Sequence, residues 1–485
     1  MRAISRPALV LLIGLAGAAR GLRRRPGLRV RRGLGLRVRR GLALAGIASR
    51  GGVRVVRRGP ALFAAAGERR QQLRHDLALE TAEDVTRTLG TMKGVLMKLG
   101  QMVSYLDEGI SPSFRLTLAR LQHNAPPMSA ELAARVVEVE LGAAPEVLFA
   151  TWDPLPIAAA SIGQVHRAVT HDGRAVAVKV QYPGVAETMT ADLDNAALLR
   201  RIAGMAFPGL DTGALVAELR ERVTEELDYR REARNQQLFA DHFSDHPTIH
   251  VPQVVGELST DRVLTSELVD AARFDQVVTW SQEERDLAAE TINRFVFRSL
   301  YDLHAFNGDP HPGNYLFHGR GRVSFVDFGL VKHFTGAELQ PLVDAARTLV
   351  IEHDEESFRS AMVRAGFIQA DAPVTTAQVV ERLSQFYETV FDHTPRTITA
   401  EYASAMVRRF FDTNNPLAPY SDIPRSYVVL QRINLGLYAI LGALNATANW
   451  RGIAEEIWPF VLGPPTTPMG AAEVVWRQRR GLVAV

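Results

Sequence analysis

Asp309-Pro-His-Pro-Gly-Asn314-Tyr-Leu-Phe-His-Gly-Arg-Gly-Arg-Val323-Ser-Phe-Val-Asp327-Phe-Gly329 is the segment from which the fold can be read. It sets an Asp and an Asn five residues apart in a polar Pro/Gly loop. Thirteen residues after Asn314, the short strand Val323–Asp327 ends in Asp-Phe-Gly. Alone, such a loop is only a turn. Upstream, Ala175-Val-Ala-Val-Lys179-Val has the period of a strand, and its lysine by itself would be a solvated edge residue. The order of the pieces changes the reading. Phosphoryl transfer needs a cation at the phosphates, oxygen ligands for Mg²⁺ and a carboxylate beside the attacking hydroxyl. Mg²⁺ takes one or two carboxylates together with phosphate oxygens. Lys179, Asp309, Asn314 and Asp327 supply these parts, in that chain order.

Outward from this segment the pattern is helices, a small sheet, then more helices, which is α+β and not a repeated βαβ. Residues 72–106 carry Leu89, Met92, Leu96, Leu99 and Val103 at helical spacings. A further helix opens at Ser111-Pro112, and Ser129 starts another that stops at Gly142. Val165–Val169 and Ala175–Val180 flank the turn His171-Asp172-Gly173-Arg174 and predict a hairpin. One long helix is expected near 213–243, strands at 251–256 and 262–268, and helices from 282 onward. The apolar run 435–444 is ten residues long, too short to span a membrane, and reads as a buried helix.

Charge divides the chain. Its 485 residues hold 56 Lys+Arg and 53 Asp+Glu, a net of +3. Residues 1–67 contain 16 arginines, no lysine and no acidic residue, leaving 40 basic and 53 acidic side chains, net −13, in 68–485. A 47% hydrophobic, 22% charged composition belongs to a globular protein. With no cysteine, disulfides, thiolate metal sites and thiol nucleophiles are excluded. Residues 7–19 form an apolar run between Arg6 and Arg20; a signal-peptide core is one reading, opposed by the dense arginine that follows. The octamer 27–34 is repeated at 35–42. The alternatives for this tail are a disordered or surface-bound basic extension, a start site placed too far upstream, and a contact to anionic lipid. Without interleaved aromatics, no nucleic-acid partner is expected.

Three more segments narrow the chemistry. Pro156-Ile-Ala158-Ala159-Ala160-Ser161-Ile-Gly-Gln164-Val-His166 stands where a glycine-rich loop is usual in kinases, Lys98-Leu-Gly-Gln101 lies on an upstream helix, and Glu226-Leu-Asp228 is followed by Glu232-Ala-Arg-Asn235. With the strand lysine and the Asp-Phe-Gly segment, these resemble the AarF/UbiB family of atypical kinases over residues 75–440. The resemblance implies a two-lobed protein-kinase-like fold with an N-terminal helical extension. Its parts would be a basic tail 1–67, the extension 68–150, an N-lobe 151–270, a helical C-lobe 271–470 and a C-terminal tail 471–485.

It also implies roles. Lys179 would contact nucleotide phosphates with Glu232 as its ion-pair partner, and Glu226 and Asp228, the E-x-D carboxylates, would compete for that pairing. Ala158, Ala159, Ala160 and Ser161 would cover the phosphates, and the backbone of Glu267–Val269 would face adenine. Lys98 and Gln101 would fold over the site and restrict protein substrates. Asp309 matches the catalytic base, and Asn314 and Asp327 match the metal ligands. The family's usual His-Ala before that Asp is replaced by Asn307-Gly308. ATP and Mg²⁺ are the implied cofactors. The acceptor would be water, a small molecule or a lipid- or quinone-related compound, acting in isoprenoid-quinone or membrane-lipid homeostasis at the cytoplasmic face of the cell membrane. A nucleotide-binding regulator with conformational output is the alternative, and a conventional Ser/Thr kinase a third. Read without the resemblance, Glu226, Asp228 and Glu232 form a solvated charged face among arginines, and His166 and His311 are structural.

Overall fold

The structure, a computed structural model, describes residues 128–160, 162–194, 212–410, 417–420 and 425–482. The readings for residues 1–127, including Lys98 and Gln101, and for Ser161 lie outside them.

Helix α1 (Ala130–Leu141) starts at Ser129, whose side chain accepts the Leu132 N–H and so satisfies one orphan donor of the first turn. Strands β1 (Thr151–Ala159), β2 (Gly163–Val169) and β3 (Ala175–Gln181) follow, and β5 (Val263–Glu267) completes an antiparallel sheet in the order β1-β2-β3-β5. The β2–β3 hairpin pairs Val169 with Ala175 around the expected turn. Alternation along β3 buries Val176, Val178 and Val180 in a core with Val137 of α1 and Phe149. Lys179 is thereby placed on the opposite face.

Between these strands lie α2 (Val185–Leu193), α3 (Thr212–Glu226), α4 (Tyr229–His242) and the two-residue strand β4 (Ile249–His250). The single helix expected over 213–243 is broken at Leu227-Asp228. Asp228 has extended backbone, and its side chain accepts the Arg231 N–H at 2.9 Å, so it caps α4 instead of continuing α3. The expected strand 251–256 reduces to one bridge, Val254 to Ser266, and a 3₁₀ turn at Gly256–Leu258. Pro252 removes a ladder donor there.

The remainder is mainly helical. Helix α5 (Gln282–Leu303) runs through the larger core into β6 (Ala305–Asn307), β7 (Tyr315–Gly319), β8 (Arg322–Phe325) and β9 (Val331–His333). Strands β4, β8 and β7 form one sheet, and β6 pairs with β9. Helix α6 (Gly336–Ala346) passes into a π-helical turn at Arg347–Glu352, before α7 (Glu355–Arg364) and α8 (Thr376–Leu383). Strand β10 (Arg396–Ile398), α9 (Ala400–Phe410), α10 (Arg425–Leu444), β11 (Ala446–Ala448), α11 (Trp450–Ile457) and α12 (Pro468–Arg479) complete the chain. The apolar run 435–444 is the C-terminal half of α10, as expected. Among the described residues no helix is long and apolar enough to cross a membrane.

Helix α12 lies where the sequence suggested a terminal tail. Its Glu473 is sealed against two arginines of α5: Arg294 Nη1 donates to it at 2.8 Å and Arg298 Nε at 2.9 Å. Arg294 also pairs with Glu290 and Glu456. Burial works against its charge, yet the hydrogen bond from His246 and the Arg298 and Arg294 guanidiniums hold the Glu473 carboxyl far below the usual range.

Candidate nucleotide site

Lys179 projects from β3 toward α4, where Tyr229, Glu232, Asn235, Gln236, Phe239 and Ala240 share the buried face. Spacings of three and four residues put them there. Lys179 Nζ donates to both Glu232 carboxylate oxygens, at 2.7 and 2.9 Å, and stands 3.8 Å from Asp327 Oδ2. The Glu232 side chain is 2% exposed, whereas Lys179 and Asp327 keep 17% and 35%. Burial disfavours the lysine's charge, but Glu232, Asp327 and Tyr229 outweigh it and hold Lys179 well above the ordinary range. Burial, with help from Asp327 and Glu226 and against the pull of Lys179, pushes Glu232 up to about 7.

The two residues matched to metal ligands are brought together by strand register. The β7–β8 hairpin pairs Tyr315 with Phe325, so Asn314 and the Val326-Asp327 end leave the same edge side by side, and Val326 N–H donates to the Asn314 carbonyl at 3.1 Å. Asn314 Nδ2 donates to the Asp309 backbone carbonyl at 3.1 Å, which closes the loop around Asp309. Asp327 Oδ1 accepts the Gly329 N–H at 3.0 Å. Phe328 is fully buried, its ring 5.0 Å from Phe239 of α4 and 6.4 Å from Phe295 of α5. Burying one such side chain contributes about 1.5–3 kcal/mol, so the Asp-Phe-Gly segment is anchored by its middle residue.

Asn307, which stands where the family pattern has histidine, spans the loop. Its Nδ2 donates to the Asp327 carbonyl at 2.7 Å, and its Oδ1 accepts the Asp309 N–H at 3.4 Å. One short amide therefore ties Asp309 to Asp327. Asn235 makes a second tie: it donates to the Phe328 carbonyl at 3.1 Å and faces His333 Nε2 at 3.3 Å. Tyr229, fully buried, lies with its ring 5.1 Å from Lys179 Nζ. A Cβ at Gly163 would collide with the Tyr229 hydroxyl and the Val180 carbonyl, so only glycine lets β2 approach this closely. None of these three contacts had been read from the sequence. Tyr229 and Asn235 could have been, since both lie three residues from Glu232 on the same helix.

Other candidates sit differently. Asp228 serves α4 as its cap, 3.9 Å from Arg234, while Glu226 is close enough to Glu232 and Tyr229 to raise both their pKa values. Ala158 and Ala159 end strand β1, and the Ala160 N–H bonds the Gly163 carbonyl at 2.9 Å. Of the three residues expected at adenine, Glu267 N–H bonds Gln253 and Leu268 N–H bonds Ala175, while the Val269 N–H bonds no described residue. Gln164 and His166 are structural: the Gln164 amide brackets the Met128 backbone and donates to His166 Nε2 at 2.9 Å, so His166 Nδ1–H donates to the Asp153 carbonyl. His311 accepts the Gly313 N–H and shapes its own turn.

Comparison with known proteins now places the chain. The ABC1 atypical kinase-like domain matches residues 120–362. The chain belongs to this family. It is 38% identical over 256 residues to the mitochondrial atypical kinase COQ8B of Rattus norvegicus, covering 52% of this chain and 48% of that protein. It is 30% identical over 396 residues to the mitochondrial atypical kinase coq-8 of Caenorhabditis elegans, covering 79% and 51%. The chain thus spans about half the length of these curated ABC1 relatives. The structure of Rv3197 from Mycobacterium tuberculosis, solved in complex with erythromycin, aligns with a TM-score of 0.59 and 32% identity, over 81% of this chain and 100% of that one. The likeness to this structure accords with the mixed α+β architecture.

Proposed function

We propose that the chain binds ATP with Mg²⁺ between the β1-β2-β3-β5 sheet and the Asp309–Asp327 segment, and acts as an atypical kinase or ATPase. The observation that carries this reading is the line Glu232–Lys179–Asp327, with Asn314 and Asn307 locking Asp309 beside it. We read the whole as a two-lobed protein-kinase-like fold: extension 68–150, N-lobe 151–270 and a C-lobe 271–470 to which α12 adds its buried Glu473, with 1–67 as a separate basic tail.

Among the described residues no cluster of three His, Cys, Asp or Glu could cage a metal alone. Asp327 and Asn314 offer only oxygen, so they suit a cation that completes its shell with phosphate oxygens, as Mg²⁺ does. Bound there, Mg²⁺ would neutralise charge on the phosphates. Lys179, kept protonated and aimed by Glu232, would orient the α and β phosphates. Asp309 would accept the acceptor's proton as the new oxygen–phosphorus bond forms and the β–γ bridging bond breaks, releasing ADP. Ala158, Ala159, Ala160 and Ser161 would lie over the phosphates, the backbone of Glu267–Val269 beside adenine, and Lys98 and Gln101 across the opening.

The acceptor we favour is a small molecule or lipid- or quinone-related compound, with the 1–67 tail touching anionic membrane from the cytoplasmic side. Alanine at Ala158–Ala160 in place of glycine supports a second reading, a nucleotide-binding regulator with little turnover. Thermal melting separates binding from its absence. Mg²⁺–ATP and Mg²⁺–ADP should both raise the melting temperature, and Asp327→Asn should remove the Mg²⁺-dependent part. No shift with either nucleotide would sink the proposal.

A further inference from the structure

The helical portion contains a cavity of about 170 Å³ that no residue of the nucleotide site lines. Its walls come chiefly from α5 (Phe297, Leu300) and α10 (Leu437, Leu441). Among the described residues no Asp, Glu, Lys, Arg or His faces it, so an ion there would be buried without a counter-charge. Its polar lining is neutral. Burial raises the pKa of Tyr301, Tyr387 and Tyr438, which keeps their phenols protonated. Tyr438 pairs with Thr389 at 3.1 Å, and Trp458 bonds the Tyr301 hydroxyl. Three groups are left over: the Asn293 and Asn434 amides and the Tyr387 hydroxyl line the cavity and bond no described residue.

Half-buried polar groups on an otherwise apolar pocket wall are what orient a small ligand. An engineered apolar cavity of about 150 Å³ stays dry and takes benzene; this one is similar in size but adds amide donors and acceptors. The π-helical turn Arg347–Glu352 begins directly after Ala346, a lining residue, and such turns are frequent at functional sites.

We infer that this cavity is a second ligand site, specific for a neutral molecule of about one substituted ring that carries a carbonyl or hydroxyl oxygen for Asn293 and Asn434. Size sets the ring, the uncharged lining sets neutrality, and the spare amides set the oxygen.

The test is saturation-transfer NMR on the full chain with three ring probes: acetophenone, toluene and benzoate. Transfer should reach acetophenone and toluene but not benzoate, and excess Mg²⁺–ADP should leave it intact. Asn434→Leu should weaken acetophenone about fivefold, the worth of one hydrogen bond, and leave toluene unchanged. Ala454→Phe, which fills the chamber, should abolish both. The inference is overturned by silence from both neutral probes, by benzoate binding as well as acetophenone, or by displacement with Mg²⁺–ADP. Melting curves check both variants. Should Ala454→Phe fail to fold, Asn434→Leu decides alone, and unchanged acetophenone affinity overturns the site.

Discussion

Two groups of buried charge sit in this molecule, and they are built to opposite rules. Around Arg294 and Arg298, Glu290, Glu456 and Glu473 face guanidiniums that leave little unspent, and the Arg294 and Glu473 side chains are 0% and 1% exposed. Around Lys179, only Glu232 is sealed; the lysine and Asp327 keep open surface. Asp327 is not fully engaged by the lysine, standing 3.8 Å away. A sealed cluster fixes the place of α12. A half-open one keeps Lys179 and Asp327 in reach of solvent, as the proposed nucleotide site requires.

Glu473→Ala leaves two arginines buried beside too few carboxylates, so unfolding free energy should fall by about 3–5 kcal/mol. Denaturant titration reads this, and nucleotide affinity of the folded protein should hold. Asp327→Asn should do the reverse. Removing a charge-assisted contact should weaken Mg²⁺–ATP by roughly 10–100-fold, seen by calorimetry, with stability changed by less than about 1 kcal/mol. Asn307→Ala should slow turnover by about 5–25-fold through its two neutral bonds, in kcat more than in KM, and Asn307→His should recover part of the loss.

Acidity gives a gentler test. Glu232 sits near 7 in the folded protein, above its ordinary 4.5. Below that value it takes a proton and Lys179 loses its anionic partner, so nucleotide affinity should drop as pH falls through about 7. Glu232→Gln should flatten that limb. The folded state also holds this proton more tightly than the unfolded chain, so this carboxyl's share of stability falls as pH rises between those values.

Much of this site was legible because it rests on local rules. The hairpin turn His171–Arg174 fixes register and so the face of Lys179, whereas β7 was not expected, and its pairing with β8, which brings Asn314 beside Asp327, emerges only in the fold. Glu232 was different: its pattern alone suggested a solvated charged face, the resemblance alone paired it with Lys179, and α4 in fact buries it. The break at Leu227-Asp228 was hidden because the charged run around it contains neither Gly nor Pro, and Asp228 declares itself a cap only once α4 is packed. Asn307 was visible as a departure, but its bonds to Asp327 and Asp309 depend on β6 pairing with β9. The Arg294–Glu473 contact joins residues 179 apart, and no period in the sequence announces it. Gly436 is similar: a Cβ there would overlap Pro310 beside Asp309, and helical pattern alone gave α10 no reason to touch that loop.

The claim that the half-open cluster is a working site is tested most directly by phosphate release. The purified chain should release phosphate from ATP only with Mg²⁺. Asp309→Asn should cut that release by about 100-fold or more, the usual worth of a positioned general base, while ADP affinity and melting temperature stay as they were. Release that continues undiminished in Asp309→Asn would contradict the account.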